Sequence, residues 1–300
     1  MELIKPITMT LGMLTASSVA ENDYPEWSSA TAYSIGNRVI VSSAHKVYEC
    51  QVANTNVTPG STAAAGKWLE LGYTNKYKCV DAKYGTQTTG TTSLSFTFTP
   101  NQPIDSLALL NVIGGSAQVT VNVPGTGVVY DTTVSLQSDV LVTDWYAYFT
   151  TQPLQRSDVV LTGLPPYSSG SITVTITSTA GSPVALGNIS MGSLVSLGDL
   201  QMNPSIRVNS FTQKTTDAFG NTTVTPRAYS KQFGGTFMLP NGLVDYIAYI
   251  LTSVRDTPAV WLGVGGRFES MLVWGFYKDW EITIPYANHS LCSITIEGLT

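Results

Sequence analysis

Only two histidines, His45 and His289, and three cysteines, Cys50, Cys79 and Cys292, are available for nucleophilic or metal chemistry in this 300-residue chain. A hydrolytic nucleophile needs Ser, Cys or Thr beside a base, and no G-x-S-x-G elbow exists for either histidine to serve. His45 follows Ser42 and Ser43 in a turn, and His289 ends a loop just before Cys292; both read as exposed turn residues. His45 with Cys50, or His289 with Cys292, would supply two metal ligands where a closed zinc site needs four. Glycosidase chemistry requires two acids facing a cleft, roughly 5–10 Å apart. Asp279 with Glu281 on one expected strand, and Asp139 with Asp144, are such pairs, but a chain with 20 acids offers them by chance. Gly263-Val264-Gly265-Gly266 lacks the Lys-Ser/Thr and the helix start of a phosphate loop and reads as a hairpin turn. The residues therefore predict no enzyme, no metal and no cofactor, and the cysteines read as small buried hydrophobes.

Composition sets the elements that must carry any other function. Charged residues make up 12% of the chain, about half of the usual share of roughly 25%. Ser, Thr, Asn and Gly fill the gap, which favours strands and turns over helices. A net charge of −5 gives no basic footprint for a phosphate backbone, so no nucleic-acid partner is expected. No run approaches the ~18 apolar residues of a membrane span, and no membrane insertion is expected. Near the N-terminus, Ser18-Val19-Ala20 before Glu21 mimics a processing site. Glu2, Pro6 and the threonines interrupt the apolar run such a leader needs, so the segment is expected to be retained.

The expected fold is mainly β. Residues 1–23 read as an extended arm with apolar Ile4, Ile7, Met9 and Leu11. Such an arm lies either against another subunit, with Ile4 and Ile7 as assembly contacts, or as a strand added to a later domain of the same chain. Residues 24–73 form a small Trp/Tyr β-module whose core must come largely from Trp27, Tyr33, Tyr48 and Trp68. Residues 74–197 alternate with period two, for example Leu94, Phe96, Phe98 and Ile172, Val174, Ile176, and predict an antiparallel β-sandwich. The aromatic run at residues 144–149 is expected to be a strand or short turn closing it. Residues 198–300 predict an α+β assembly domain with one helix on a sheet: Asn241 as N-cap, then Leu243, Ile247, Ile250, Leu251 and Val254 on one stripe. Strands follow at 259–264, 271–276, 281–284 and 291–297. Before the helix, a long hairpin projects, with Asp217, Phe219 and Asn221 at its tip as further assembly contacts; Gly220 and Asn221 are expected to supply positive φ angles there.

Two resemblances add to this reading. Trp27, Ala32-Tyr33, Gly36-Asn37-Arg38-Val39, Tyr48 and Trp68 resemble the small chitin- and cellulose-binding modules of chitinases. That resemblance implies a glycan-binding alternative, with Tyr33, Tyr48 or Trp68 stacking on a host cell-surface sugar. The family's exposed aromatics after the single Tyr are replaced here by Cys50-Gln51-Val52-Ala53-Asn54. The N-terminal arm, this module, Gly85-Thr86-Gln87-Thr88, Asp144-Trp145-Tyr146, Leu164-Pro165-Pro166-Tyr167, Tyr277-Lys278-Asp279-Trp280 and Ile296-Glu297-Gly298-Leu299 together resemble virion proteins of tailed bacteriophages. What it implies is a non-enzymatic tail or tail-tip component, made in the host cytoplasm and carried in the virion. Its partners would be copies of itself and other tail proteins. A charge-poor β surface is in keeping with such contacts, because unpaired strand edges are a liability unless covered.

Overall fold

The computed structural model describes residues 1–138, 142–151, 154–264 and 269–299. The protein is mainly β: a small β-module, a β-sandwich and a C-terminal sheet carrying one packed helix. A curled antiparallel sheet of 11 strands runs through most of the chain. Its order is Val159–Thr162, Ser106–Ile113, Pro183–Ser196, Glu2–Pro6, Ala259–Leu262, Leu272–Thr283, His289–Gly298, Tyr229–Pro240 and Asp199–Leu200. Ser205–Ser210 also pairs with Tyr229–Pro240, and Thr88–Thr91 with Pro183–Ser196.

The first residues are not a free arm. Glu2–Pro6 is an interior strand, bonded to Pro183–Ser196 on one side and to Ala259–Leu262 on the other. Its side chains alternate between faces: Leu3 enters the core under the C-terminal helix, and Ile4 enters a second core on the opposite face. Both are fully buried. The expectation that Ile4 contacts another subunit is thereby corrected, because two neighbouring strands of its own chain enclose it. Ile7 is half-buried against the sandwich core, so it too is occupied internally. Gly192 makes the close pairing possible, since a Cβ there would lie 2.0 Å from the Lys5 carbonyl oxygen. The sheet therefore passes straight through the expected boundary between residues 197 and 198.

Opposite this sheet lies a five-stranded layer, ordered Gly127–Ser135, Ser116–Val123, Ser171–Thr177, Ser93–Phe98 and Leu14–Ser17. Its period-two apolar residues, among them Phe96, Val119 and Val174, meet Leu107, Leu109, Leu186 and Ile189 of the larger sheet. Burial on both faces explains why Pro183–Ser196 reads as a nearly continuous buried run from Val184 to Gly192.

The C-terminal helix spans Val244–Ser253 and presents Ile247, Ile250, Leu251 and Val254 to the sheet. Asn241 does not cap it. A 3₁₀ turn, Asn241–Leu243, comes first, and the Asn241 amide instead donates to the Tyr286 carbonyl at 3.0 Å and accepts from Ser290 Oγ at 2.5 Å. Leu243, expected on the stripe, is exposed. The two strands expected at 271–276 and 281–284 are one continuous strand, Leu272–Thr283, with a bulge between Tyr277 and Asp279. A bulge shifts the inward period by one residue, which is why the pattern looked interrupted.

The aromatic run is neither the strand nor the turn expected of it. Trp145–Thr150 is a short helix, capped by Asp144 Oδ1 accepting from the Ala147 N–H at 2.7 Å. It does not close the sandwich: Trp145, Tyr146, Tyr148 and Phe149 all face outward.

If the N-terminal strand holds the two halves together, Ile4→Ala should destabilise the whole chain by about 2–5 kcal/mol. Denaturant unfolding followed by tryptophan fluorescence should show one shifted transition. An unchanged midpoint would mean the strand is peripheral.

Candidate functional site

The module brings its four signature aromatics together, three of them inside and Trp27 half-buried against them. Tyr33, Tyr48 and Trp68 are 7%, 5% and 8% exposed. The Trp68 indole donates to the Val57 carbonyl at 2.9 Å, and the Tyr33 hydroxyl accepts from the Ser28 N–H at 2.7 Å. Tyr33 and Trp68 meet edge to face, with ring centroids 5.1 Å apart. Rings enclosed in this way offer no flat face to a sugar, so the expectation that one of them stacks on a glycan is corrected. Three short strands, Arg38–Val41, Lys46–Cys50 and Trp68–Tyr73, bury too little aliphatic surface alone, and the aromatics supply the difference.

The module is anchored by its flanks. The Thr74 hydroxyl donates to Glu21 at 2.9 Å, the Asn75 N–H donates to Asp23 at 2.6 Å, and His45 Nδ1 lies 3.0 Å from Glu21. His45 also stacks on Tyr77 at 4.0 Å. It is thus a half-buried joint residue rather than an exposed turn histidine. His289 is likewise half-buried, stacked on Tyr286.

Among the described residues the three cysteines do not come together. Each cysteine sits in a different core, Cys50 in the module, Cys79 in the sandwich and Cys292 under the C-terminal helix. Burial pushes the Cys79 and Cys292 thiols up to about 12, the reverse of an activated nucleophile. Among the described residues no three His, Cys, Asp or Glu side chains cluster as metal ligands. Asp279 and Glu281 do share the outer face of the C-terminal sheet, opposite Thr295 and Ser293, where both line a surface concavity of about 540 Å³. Asp139 lies outside the described residues, as do Gly265 and Gly266.

The exposed features lie elsewhere. From residue 205 to 229 every residue is exposed except half-buried Thr212. This segment is the strand Ser205–Ser210 followed by a two-stranded extension, Gln213–Thr216 paired with Thr222–Thr225. Asp217 organises its tip: Oδ1 accepts from the N–H groups of Phe219 and Asn221 at 2.9 and 2.8 Å, and Oδ2 accepts from the Asn221 amide at 2.9 Å. Gly220 alone takes a positive φ there (85°); Asn221 contributes through its side chain instead. These bonds from Asn221 and the tip amides hold the Asp217 carboxyl below the usual aspartate range. Phe219, 91% exposed, stands at the end.

One cleft of about 310 Å³ opens on the concave side of the curled sheet. Tyr84, Asn111, Asp158, Tyr229, Lys231 and Trp274 line it. They come from segments far apart in sequence, and no spacing signal pointed to them.

No protein-family model matches the chain, and no curated protein is similar to it. One of the solved structures similar to it is the F5/8 type C domain of a Bacteroides fragilis protein, at 9% identity and a TM-score of 0.25, covering 39% of this chain and 79% of that one. So slight an overlap carries no weight for fold or function.

Two outcomes follow. Trp68→Ala should unfold the module, at a cost of about 3–5 kcal/mol, seen as rapid amide exchange across residues 32–73 while the large sheet stays protected. Because the Asp217 carboxyl is held low, the order it gives the hairpin tip should be complete above the ordinary aspartate value and lost only as pH falls below it. Amide NMR shifts of Phe219 and Asn221 titrating at or above that ordinary value would contradict this.

Proposed function

We propose that this chain is a structural, non-enzymatic component of a bacteriophage tail or tail tip, joining copies of itself and neighbouring virion proteins. The observation that carries the assembly part is the hairpin. An isolated two-stranded hairpin is marginally stable in water at best, yet residues 213–225 extend beyond the sheet with no layer behind them among the described residues. Ile206, Val208, Phe211, Phe219 and Val224 present apolar surface along this segment. An open edge with such side chains is a template for strand pairing, so a neighbouring subunit is its natural cover. The aromatic ridge of Trp145, Tyr146, Tyr148 and Phe149 is a second exposed patch of the kind that marks a protein contact. The virion assignment itself rests on the end-to-end resemblance of the sequence to tail proteins.

Phe211 and Ala228 are joined by a backbone hydrogen bond of 3.1 Å, so residues 212–227 can be replaced by a short Gly-Ser turn without disturbing the sheet. The intact chain should sediment as an oligomer and the shortened chain as a folded monomer. The chain should also be detected by mass spectrometry in purified particles. A soluble monomer in both forms, or particles that lack the chain, would reject the proposal.

A further inference from the structure

The cleft beside Tyr229 has a chemistry that the assembly reading does not use. The strand order places Val159–Thr162 and Tyr229–Pro240 many strands apart, yet the curl of the sheet brings their beginnings into contact. Asp158 and Lys231 meet there, with Nζ donating to Oδ2 at 2.8 Å. The other oxygen, Oδ1, accepts from the Tyr84 hydroxyl at 3.0 Å and the Asn111 N–H at 3.1 Å. The Asp158 side chain is only 7% exposed and so is fixed in place, whereas Lys231 is 27% exposed at the cleft. Burial and the Asp158 charge together raise the Tyr84 hydroxyl well above the ordinary tyrosine range, so it stays a neutral donor.

The walls are apolar. Trp274 and Tyr84 stack at 6.2 Å, and Leu110, Leu272 and Leu299 continue the lining. Tyr229, half exposed, also lines the cleft. A concave, mostly apolar site with a few convergent polar groups, set between two parts of a fold, is the usual form of a small-molecule site.

Three features select the ligand class. Lys231 donates to Asp158 through one of its three N–H groups, leaving donors directed at the cleft. Asp158 Oδ2 retains acceptor capacity beside them. Among the described residues the charged groups lining the cleft are Asp158 and Lys231, so a lone anion meets Asp158 and a lone cation meets Lys231. A purely apolar ligand would strip water from Lys231 without replacing its hydrogen bonds, which is unfavourable.

We propose that this cleft binds one neutral sugar ring, a hydroxyl pair accepting from Lys231 Nζ and donating to Asp158 Oδ2, with the ring's apolar face on Tyr229. A free monosaccharide and the terminal unit of a glycan share this chemistry. The site lies outside residues 24–73 and does not depend on subunit assembly.

The test is saturation-transfer NMR on the intact chain with the methyl glycosides of glucose, galactose, mannose and N-acetylglucosamine. Phenylalanine, whose two charges could also meet the ion pair, and acetate serve as competitors. At least one glycoside should bind, and binding should weaken about tenfold or more in Lys231→Met and several-fold in Tyr229→Ala, with thermal unfolding of each variant checking the fold. Since Lys231 also ties the curled sheet together, Tyr229→Ala, at a half-exposed side chain, decides the matter if Lys231→Met unfolds. The chain lacking residues 212–227 keeps Tyr229 and Lys231 and should bind as the intact chain does, which separates this result from failure of the assembly reading. Retention on a bacterial surface polysaccharide, competed by the matching glycoside, would assign the ligand to a glycan end; glycoside binding without retention would assign it to a free sugar. No transfer to any glycoside, binding of phenylalanine alone, or binding unchanged in Tyr229→Ala would overturn the proposal.

Discussion

The structure depends on where the first six residues go. A strand inserted between Pro183–Ser196 and Ala259–Leu262 has Glu2–Ile4 paired on both edges and Leu3 and Ile4 buried on its two faces, so the backbone polar groups of that stretch find partners within the chain. It converts what would be two domains meeting at an edge into one continuous sheet. Leu3 and Ile4 point to opposite sides of that sheet and so belong to two different cores. The pairing also has a kinetic side, since contacts between the chain start and residues near 260 are of long range, and long-range pairings slow folding.

Continuity of the sheet has a geometric consequence. Neighbouring strands twist with a fixed hand, and a wide antiparallel sheet curls rather than staying flat. The curl encloses the core around Ile4, Val260 and Trp274, and it carries Lys231 to Asp158. A charge pair with one carboxylate so well buried is unfavourable unless further hydrogen bonds satisfy it, and Tyr84 and Asn111 provide them. The same tie fixes the mouth of the cleft, so the electrostatics of that concavity are set by the architecture of the sheet.

Against this closed body stand two open features, the hairpin at 205–229 and the aromatic helix Trp145–Thr150. A charge-poor exterior does little to keep such surfaces apart from other proteins. The Thr-rich extension keeps its own cross-strand hydrogen bonds and an aspartate-centred tip, so it is locally ordered while remaining unbacked. Local order without burial is the condition in which a partner adds the most stability, since part of the ordering entropy is already offset before contact.

The sequence by itself determined whatever is local. Period-two alternation located the sandwich strands, the stripe at Ile247, Ile250, Leu251 and Val254 located the helix, and Asp217 to Asn221 located the hairpin tip, because each signal is written within a few residues. The cysteines were legible as buried hydrophobes for the same reason. Only the tertiary structure decided the rest. Whether an apolar Ile4 is an assembly contact or a core residue depends on which strand edges are free to receive it. Whether Tyr33, Tyr48 and Trp68 present faces or fill a core depends on how little else a small module has to bury. Whether Trp145 and Phe149 close a layer depends on where the tertiary fold sets their helix, and both are exposed. Tyr84, Asp158, Tyr229 and Lys231 converge through the curl of a sheet, a collective property of many strands that no short window of residues encodes.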